Sequence, residues 1–408
     1  MECARYGFRL AVAVCAGWAI SHTQIAEAGT TLSNGYWSRT TFDPEITSLH
    51  MNAGLVSCGA QKWTAYASYL NRYNGVNWSR EQIRFMDGSF LGQYASLGNV
   101  GGFPVVSCYQ AASADYPTEA LRYGHWTASG FWWYRDVGGG VSFGGSKLQT
   151  MLDGRPVIAY SASDYSLRFA YPAGAGTSSS EPWYNIGVGN ASSWYLSLGI
   201  LPYNRPAIGY YDPVTDSLKY AWNALQYPTF GGWNFATIDN VGSPGKEGAL
   251  SIAVSANGTV GVAYTRMSSQ PGPSKREYVY AWNSGGAWER TVFDENWSDV
   301  SYGPPSASLT FLDDGTPVIA YFLDGVGGGL NVAWQEDGTW KNTQVEDYSY
   351  EGWYPSIAIL QDTRNPATIY WDDYASDRGM RYAEFIPEPA SLGALALGGL
   401  ALIRRRKK

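Results

Sequence analysis

Carboxylates and large aromatic side chains are the residues through which this sequence could do chemistry. Asp164, Asp212 with Asp216, Asp324, and Asp372 and Asp373 with Asp377 each follow a short apolar segment. Stretches rich in Trp and Tyr lie between these segments: GNASSWY (189–195), DENWSDVSYGPP (294–305) and EDYSYEGWYP (346–355). An aromatic face stacks on a sugar ring while a carboxylate accepts its hydroxyls, so these types point to a carbohydrate ligand. The contact candidates are Trp194, Trp297, Tyr302, Tyr350 and Trp353, with Asp212, Asp324 and Asp372 as hydroxyl acceptors. Two plainer roles compete with this one. Aspartate in a hairpin bonds its own backbone, and a loop aromatic packs its own loop.

Other chemistry has less to draw on. Only His50 and His125 lie beyond the leader described below, in different repeats, which leaves a histidine triad or multi-histidine metal site without parts. A pair of carboxylates acting on a glycan, as hydrolase or lyase, stays open as the alternative to binding. A protein-interaction scaffold, using the outer rims, is a third reading. DPVTD (212–216) and DDYASD (372–377) offer oxygens to calcium without the spacing of a metal loop, so no cofactor is expected.

The elements that must position these side chains follow from a repeat. The pentapeptide PVIAY occurs at 156–160 and again at 317–321. Aligning on it recovers GLVSC at Gly54, PVVSCY at Pro104, PAIGYYD at Pro206, VGVAYT at Val260 and PATIYWDD at Pro366, at intervals of 50, 52, 50, 54, 57 and 49 residues. The units share one grammar, an apolar strand, a turn, the anchor strand, a hairpin, a third strand and, in all but the last, a fourth opened by Trp. Four strands at this period, with 31 Tyr, 18 Trp and 48 Gly and only 15% charged residues, predict an all-β, seven-bladed β-propeller over residues 34–386. The seventh unit stops at its third strand. YWSRTTFD (36–43) matches AWERTVFD (287–294), the fourth strand of the fifth unit, so the N-terminal strand is expected to complete the last blade. One face of the ring, its mouth, would then gather the aspartate hairpins and the aromatic blade connectors. EDGTWKN (336–342) is similar to the S-x-D-x-G-x-T-W turn of sialidases, but it lacks the Ser and the residue between Asp and Gly, and it does not recur. Asp337-Gly338 reads as an ordinary hairpin turn.

The termini are addresses. Arg5 and Arg9 precede LAVAVCAGWAI, and Ala26-Glu27-Ala28 supplies a small-x-small cleavage site, so residues 1–28 read as a signal peptide. At the other end Pro387-Glu388-Pro389 precedes a 14-residue apolar run and then Arg404, Arg405, Arg406, Lys407 and Lys408. Fourteen helical residues reach about 21 Å, short of the ~30 Å hydrocarbon core, so the run suits transient insertion better than a permanent span. The tripeptide, short helix and basic end resemble the PEP-CTERM sorting signal of bacterial surface proteins. That resemblance implies recognition by an exosortase and delivery to the cell surface or extracellular matrix, where polysaccharide is an available partner. Loss of the five terminal basic residues, with a leader that carries two acidic and two basic groups, takes the formal charge from −7 to −12. Such a chain repels phosphate backbones, which points away from nucleic acid.

Cys58 and Cys108 are the thiols left after the leader. An exported protein favours pairing them. The alignment argues against it, because it gives both cysteines the slot of Tyr160, Tyr210, Tyr264, Tyr321 and Tyr370, and sheets packed about 10 Å apart are too distant for a disulfide.

Overall fold

The computed structural model describes residues 32, 35–43, 54–58, 61–66, 69–82, 93–110, 119–130, 132–192, 194–229, 231–241, 249–268, 275–296, 306–323, 328–346, 351–372 and 379–387. The chain divides into two units, Met1–Tyr36 with Ile386–Lys408 and Trp37–Phe385. Almost all of the first unit, including the expected signal peptide and the sorting segment from Glu388 onward, lies outside the described residues.

The second unit is a seven-bladed propeller of four-stranded antiparallel sheets. Naming strands from the centre outward, the inner strands of blades 1 to 7 are Gly54–Cys58, Gln93–Val100, Val141–Thr150, Trp194–Leu201, Leu250–Val254, Ala307–Phe311 and Glu351–Ile359. The second strands are Gln61–Tyr66, Phe103–Gln110, Pro156–Ala162, Arg205–Asp212, Val260–Met267, Pro317–Leu323 and Pro366–Asp372. In blade 7 the outermost strand is the N-terminal segment Gly35–Asp43, paired to Gly379–Pro387 as the repeat required. Each inner strand packs on the next, and that of blade 7 packs on that of blade 1. The ring is further joined there by Gln361 N–H donating to Ser57 Oγ (3.1 Å) and by Lys62 Nζ donating to Glu384 (2.6 Å).

Stacking explains why these sequences are strands without alternation. A second strand is covered by a blade on either side, so PVIAYSA and PATIYWD are buried at every position. The core is correspondingly a set of seam clusters, such as Ala207, Tyr211, Ile252 and Val262 between blades 4 and 5. The turn from first to second strand repeats as well. Gly154, Gly258 and Gly315 sit at φ 87°, 88° and 88° in LDG, ANG and DDG, each donating its N–H to the residue three before it. Only glycine takes that conformation without cost.

One alignment step is corrected. GLVSC is the inner strand of blade 1, and its second strand is QKWTAY. Matching apolar letters selected the wrong strand because Lys62 breaks the apolar run of the true one, and Glu384 neutralises that lysine in the structure. Cys58 is therefore not in the tyrosine slot, which Tyr66 fills opposite Tyr69, while Cys108 is. Both cysteines are buried thiols in the cluster between blades 1 and 2, with no disulfide.

Candidate functional site

Strand order fixes two faces. Hairpins between second and third strands share the mouth with the blade connectors. The opposite face carries the turns between first and second strands and the hairpins between third and fourth.

At the mouth, the described carboxylates hold the fold together. Asp212 accepts from Val214 N–H (2.9 Å), Thr215 Oγ1 (2.9 Å) and the Lys219 ammonium. Burial pushes its carboxyl upward, but those donors, Lys219 foremost, outweigh it and hold it below the usual carboxylate range. Asp372 is fully buried and paired with Arg381, which also donates to Glu346 Oε1 (3.0 Å). Asp164, at an exposed hairpin, accepts from Ser166 N–H (3.0 Å) and Ser166 Oγ (2.6 Å), which lower its carboxyl.

A second set of acids ends the outer strands and was missed by sequence reasoning. Asp239, Asp294 and Glu346 each accept the phenol of the next blade's second strand: Tyr264 to Asp239 (2.7 Å), Tyr321 to Asp294 (2.5 Å) and Tyr370 to Glu346 (2.5 Å). Burial, then the carboxylate, raises each tyrosine's pKa. Arginines complete two of these clasps. Arg266 Nη1 lies 2.6 Å and Arg290 Nη1 3.2 Å from Asp239, and Arg39 with Arg381 hold Glu346. The available signal was the pairing of an anchor tyrosine with an acid at the end of the preceding unit, as in TID–AYT and VFD–AYF.

The aromatic candidates divide. Trp353 is partly buried on the core between blades 7 and 1 and stands edge-on to Phe322 at 6.1 Å. Trp194 opens the inner strand of blade 4 opposite Tyr211, with its side chain outside the described residues, as are Trp297, Tyr302, Tyr350 and Asp324. Trp353 and Asp372 are close in register on paired strands of blade 7, and Asp212 lies apart on blade 4.

An aromatic cluster not expected from the sequence lies on the opposite face, between blades 3 and 4. Tyr171 lies 5.2 Å from Tyr184 and 5.0 Å from Tyr227 between ring centroids, with the planes tilted by 40° and 41°. Tyr227 donates its phenol to Asp153 (2.8 Å), Gln226 Nε2 donates to the same carboxylate (3.2 Å), and the Arg155 guanidinium covers the Tyr227 ring at 4.7 Å. Tyr171 is buried between the other two rings, whereas Tyr184 is 51% exposed and offers an open ring at the end of the cluster away from this polar group. The residues come from a turn, a strand end and a hairpin far apart in sequence, so no local motif announces them.

The third feature is a central channel of about 820 Å³ lined by the inner strands. One inner-strand position recurs just before a Leu or Ile: Ser96, Ser197, Ser251, Ser308 and Ser356. Ser96, Ser197, Ser251 and Ser308 accept the N–H of Leu148, Ile252, Leu309 and Ile357 on the following blade at 3.0, 3.0, 3.0 and 3.1 Å. Each hydroxyl thus bonds an N–H of a strand that has no fifth strand to pair with. Blade 1 has Gly54 at this position and blade 3 has Lys147.

Among the described residues, no three His, Cys, Asp or Glu side chains gather to hold a metal ion, and no helix is long and apolar enough to cross a membrane.

Comparison with known proteins adds the following. Residues 385–407 match the PEP-CTERM protein-sorting motif. The chain therefore carries the mark of an exported protein recognised by an exosortase-type sorting enzyme. No curated protein matches the sequence. Similar solved structures include the polysaccharide lyase Uly1 (TM-score 0.51, 10% identity, covering 88% of this chain and 98% of that one). A fungal alcohol oxidase of the AA5 family in complex with copper gives TM-score 0.52 at 10% identity, covering 86% and 76%. The α-L-arabinanase of Penicillium chrysogenum complexed with arabinobiose gives 0.49 at 11%, covering 86% and 98%. At such identities the likeness is one of fold.

Proposed function

We propose that this is a non-catalytic carbohydrate-binding protein, exported to the cell surface or its polysaccharide matrix. The observation that carries the reading is the exposed ring of Tyr184, which reaches the Asp153, Gln226 and Arg155 group through the Tyr171 and Tyr227 rings. An open aromatic ring, with a carboxylate, an amide and a guanidinium at the far end of the same tyrosine cluster, has the parts that stack on a sugar ring and exchange hydrogen bonds with the hydroxyls of an oligosaccharide. Binding is favoured over hydrolysis or elimination because Asp212, Asp239, Asp294, Glu346 and Asp372 are all committed to cations, phenols or their own hairpins. A glycosidase pair needs carboxylates that face substrate instead. The connector residues Trp297, Tyr302 and Tyr350, with Trp194 and Asp324, are a second set of contact candidates under the same proposal.

A glycan array probed with the secreted chain tests it. Saccharide binding that Tyr184→Ala abolishes, with folding intact, is the expected result. Loss on Trp297→Ala alone would move the site to the mouth. No binding to any saccharide, or sugar release from a bound polymer, would overturn the proposal.

A further inference from the structure

Lys147 stands where five of the seven blades place serine, and the substitution changes the chemistry of the channel. A serine there accepts an N–H from the following blade, whereas a lysine ammonium donates only. Blade 3 therefore offers Leu198, the equivalent residue of blade 4, a further donor and no acceptor. The serines add donors of their own. Ser96 and Ser197, on the blades either side of Lys147, each spend a lone pair on a backbone N–H, which leaves the hydroxyl hydrogen for something else.

The charge is uncompensated as well. Asp313 and Arg364 also line the channel but are bonded to each other, Arg364 Nε to Asp313 Oδ2 at 2.9 Å, and are more than half exposed. Among the described residues no carboxylate pairs with Lys147. Its ammonium is held below the ordinary lysine range, and the cause is burial alone. Lys147 is half-buried at the channel wall, where a counter-charge and hydrogen bonds stabilise an ammonium that has lost part of its water.

We propose that the channel is an anion site, in which the Lys147 ammonium and the neighbouring serine hydroxyls hold the carboxylate of a small organic or sugar acid. One positive charge matches a monoanion, and a dianion such as phosphate would leave net negative charge enclosed. The channel volume of about 820 Å³ lies in the range of small-molecule sites and accommodates a monosaccharide. This site is separate from the tyrosine cluster, and neither depends on the other.

The test is calorimetric titration of the secreted chain with acetate, glucuronate, glucose, chloride and phosphate, in the wild type and in Lys147→Ser. That variant restores the residue of five other blades, so it keeps the fold, which thermal unfolding verifies. Saturable binding of glucuronate or acetate, weakened at least about tenfold in Lys147→Ser, is expected, a factor equivalent to about 1.4 kcal/mol. Acetate binding as tightly as glucuronate would assign the site to free carboxylates, and a preference for glucuronate would assign it to sugar acids. Equal affinity in the variant, phosphate or chloride binding as tightly as the carboxylates, glucose binding as tightly as glucuronate, or no binding of either carboxylate would overturn the assignment.

Discussion

The guanidinium of Arg39 pairs with the carboxylate of Glu346, 307 positions away in the chain. Arg290 stands in the same relation to Asp239. Each arginine lies on the outermost strand of one blade and each acid ends that of the blade before. The match of YWSRTTFD to AWERTVFD is thus an equivalence of contacts as well as letters. Glu346 is buried and also accepts Tyr370 and Arg381, so Glu346→Ala leaves the buried Tyr370 phenol without its acceptor and Arg381 with Asp372 alone. A loss of about 1–3 kcal/mol is expected. Arg39 is 49% exposed, so Arg39→Ala should cost no more than about 1 kcal/mol. Urea unfolding of both variants checks the asymmetry.

Removing residues up to Asp43 takes the fourth strand from blade 7 and exposes the edge of Gly379–Pro387. Unpaired edges recruit other chains. The truncated chain should associate, by light scattering, and a synthetic peptide of residues 35–43 added in excess should restore a monomer. A truncated chain that stays monomeric without peptide would refute the closure.

The ring was legible because its signals are periodic: apolar second strands, Asp-Gly turns and an orphan fourth strand at the N-terminus. The first repeat was misplaced because apolarity was aligned, and a lysine buried against Glu384 looks polar in one dimension. The seam clasps and the Tyr171–Tyr184–Tyr227 cluster were not legible, since each joins residues from different blades or from distant turns. The channel position was legible in principle: Ser-Leu or Ser-Ile recurs in the inner strands, and Lys147-Leu148 is the exception that the pattern exposes.

Gly261 lies in the second strand of blade 5, where an added Cβ would sit 2.7 Å from Phe311 Cζ and 2.9 Å from Tyr280 Cε2. Both atoms belong to ring systems packed at the seam with blade 6. Gly261→Ala should therefore destabilise by about 1–3 kcal/mol, although alanine favours strands over glycine elsewhere. Thermal unfolding measures it.

Burial pushes the Cys58 thiol up to about 12, so it carries almost no thiolate at neutral pH. Cys108 is fully buried beside it in the same cluster. Neither should react with an aromatic disulfide reagent in the native protein, and both should react in denaturant. Mass spectrometry without reductant should find two thiols.

His125 is buried and lies face to face with Trp133, ring centroids 5.4 Å apart and planes 2° from parallel. Burial lowers its pKa below the ordinary 6.5, so the folded state holds the neutral imidazole and the unfolded state takes up the proton first. Stability from this residue is therefore complete above pH about 6.5 and is lost as pH falls from there to the folded pKa, at about 1.4 kcal/mol per pH unit. Carboxylate pairs also weaken in acid, so the comparison must be with His125→Phe, which keeps an aromatic ring against Trp133 and cannot titrate. The urea midpoint of the wild type should fall relative to that of His125→Phe as the pH drops from 7.5 towards 5.5. Midpoints that keep a constant separation over that interval would show that the imidazole ionises equally in both states.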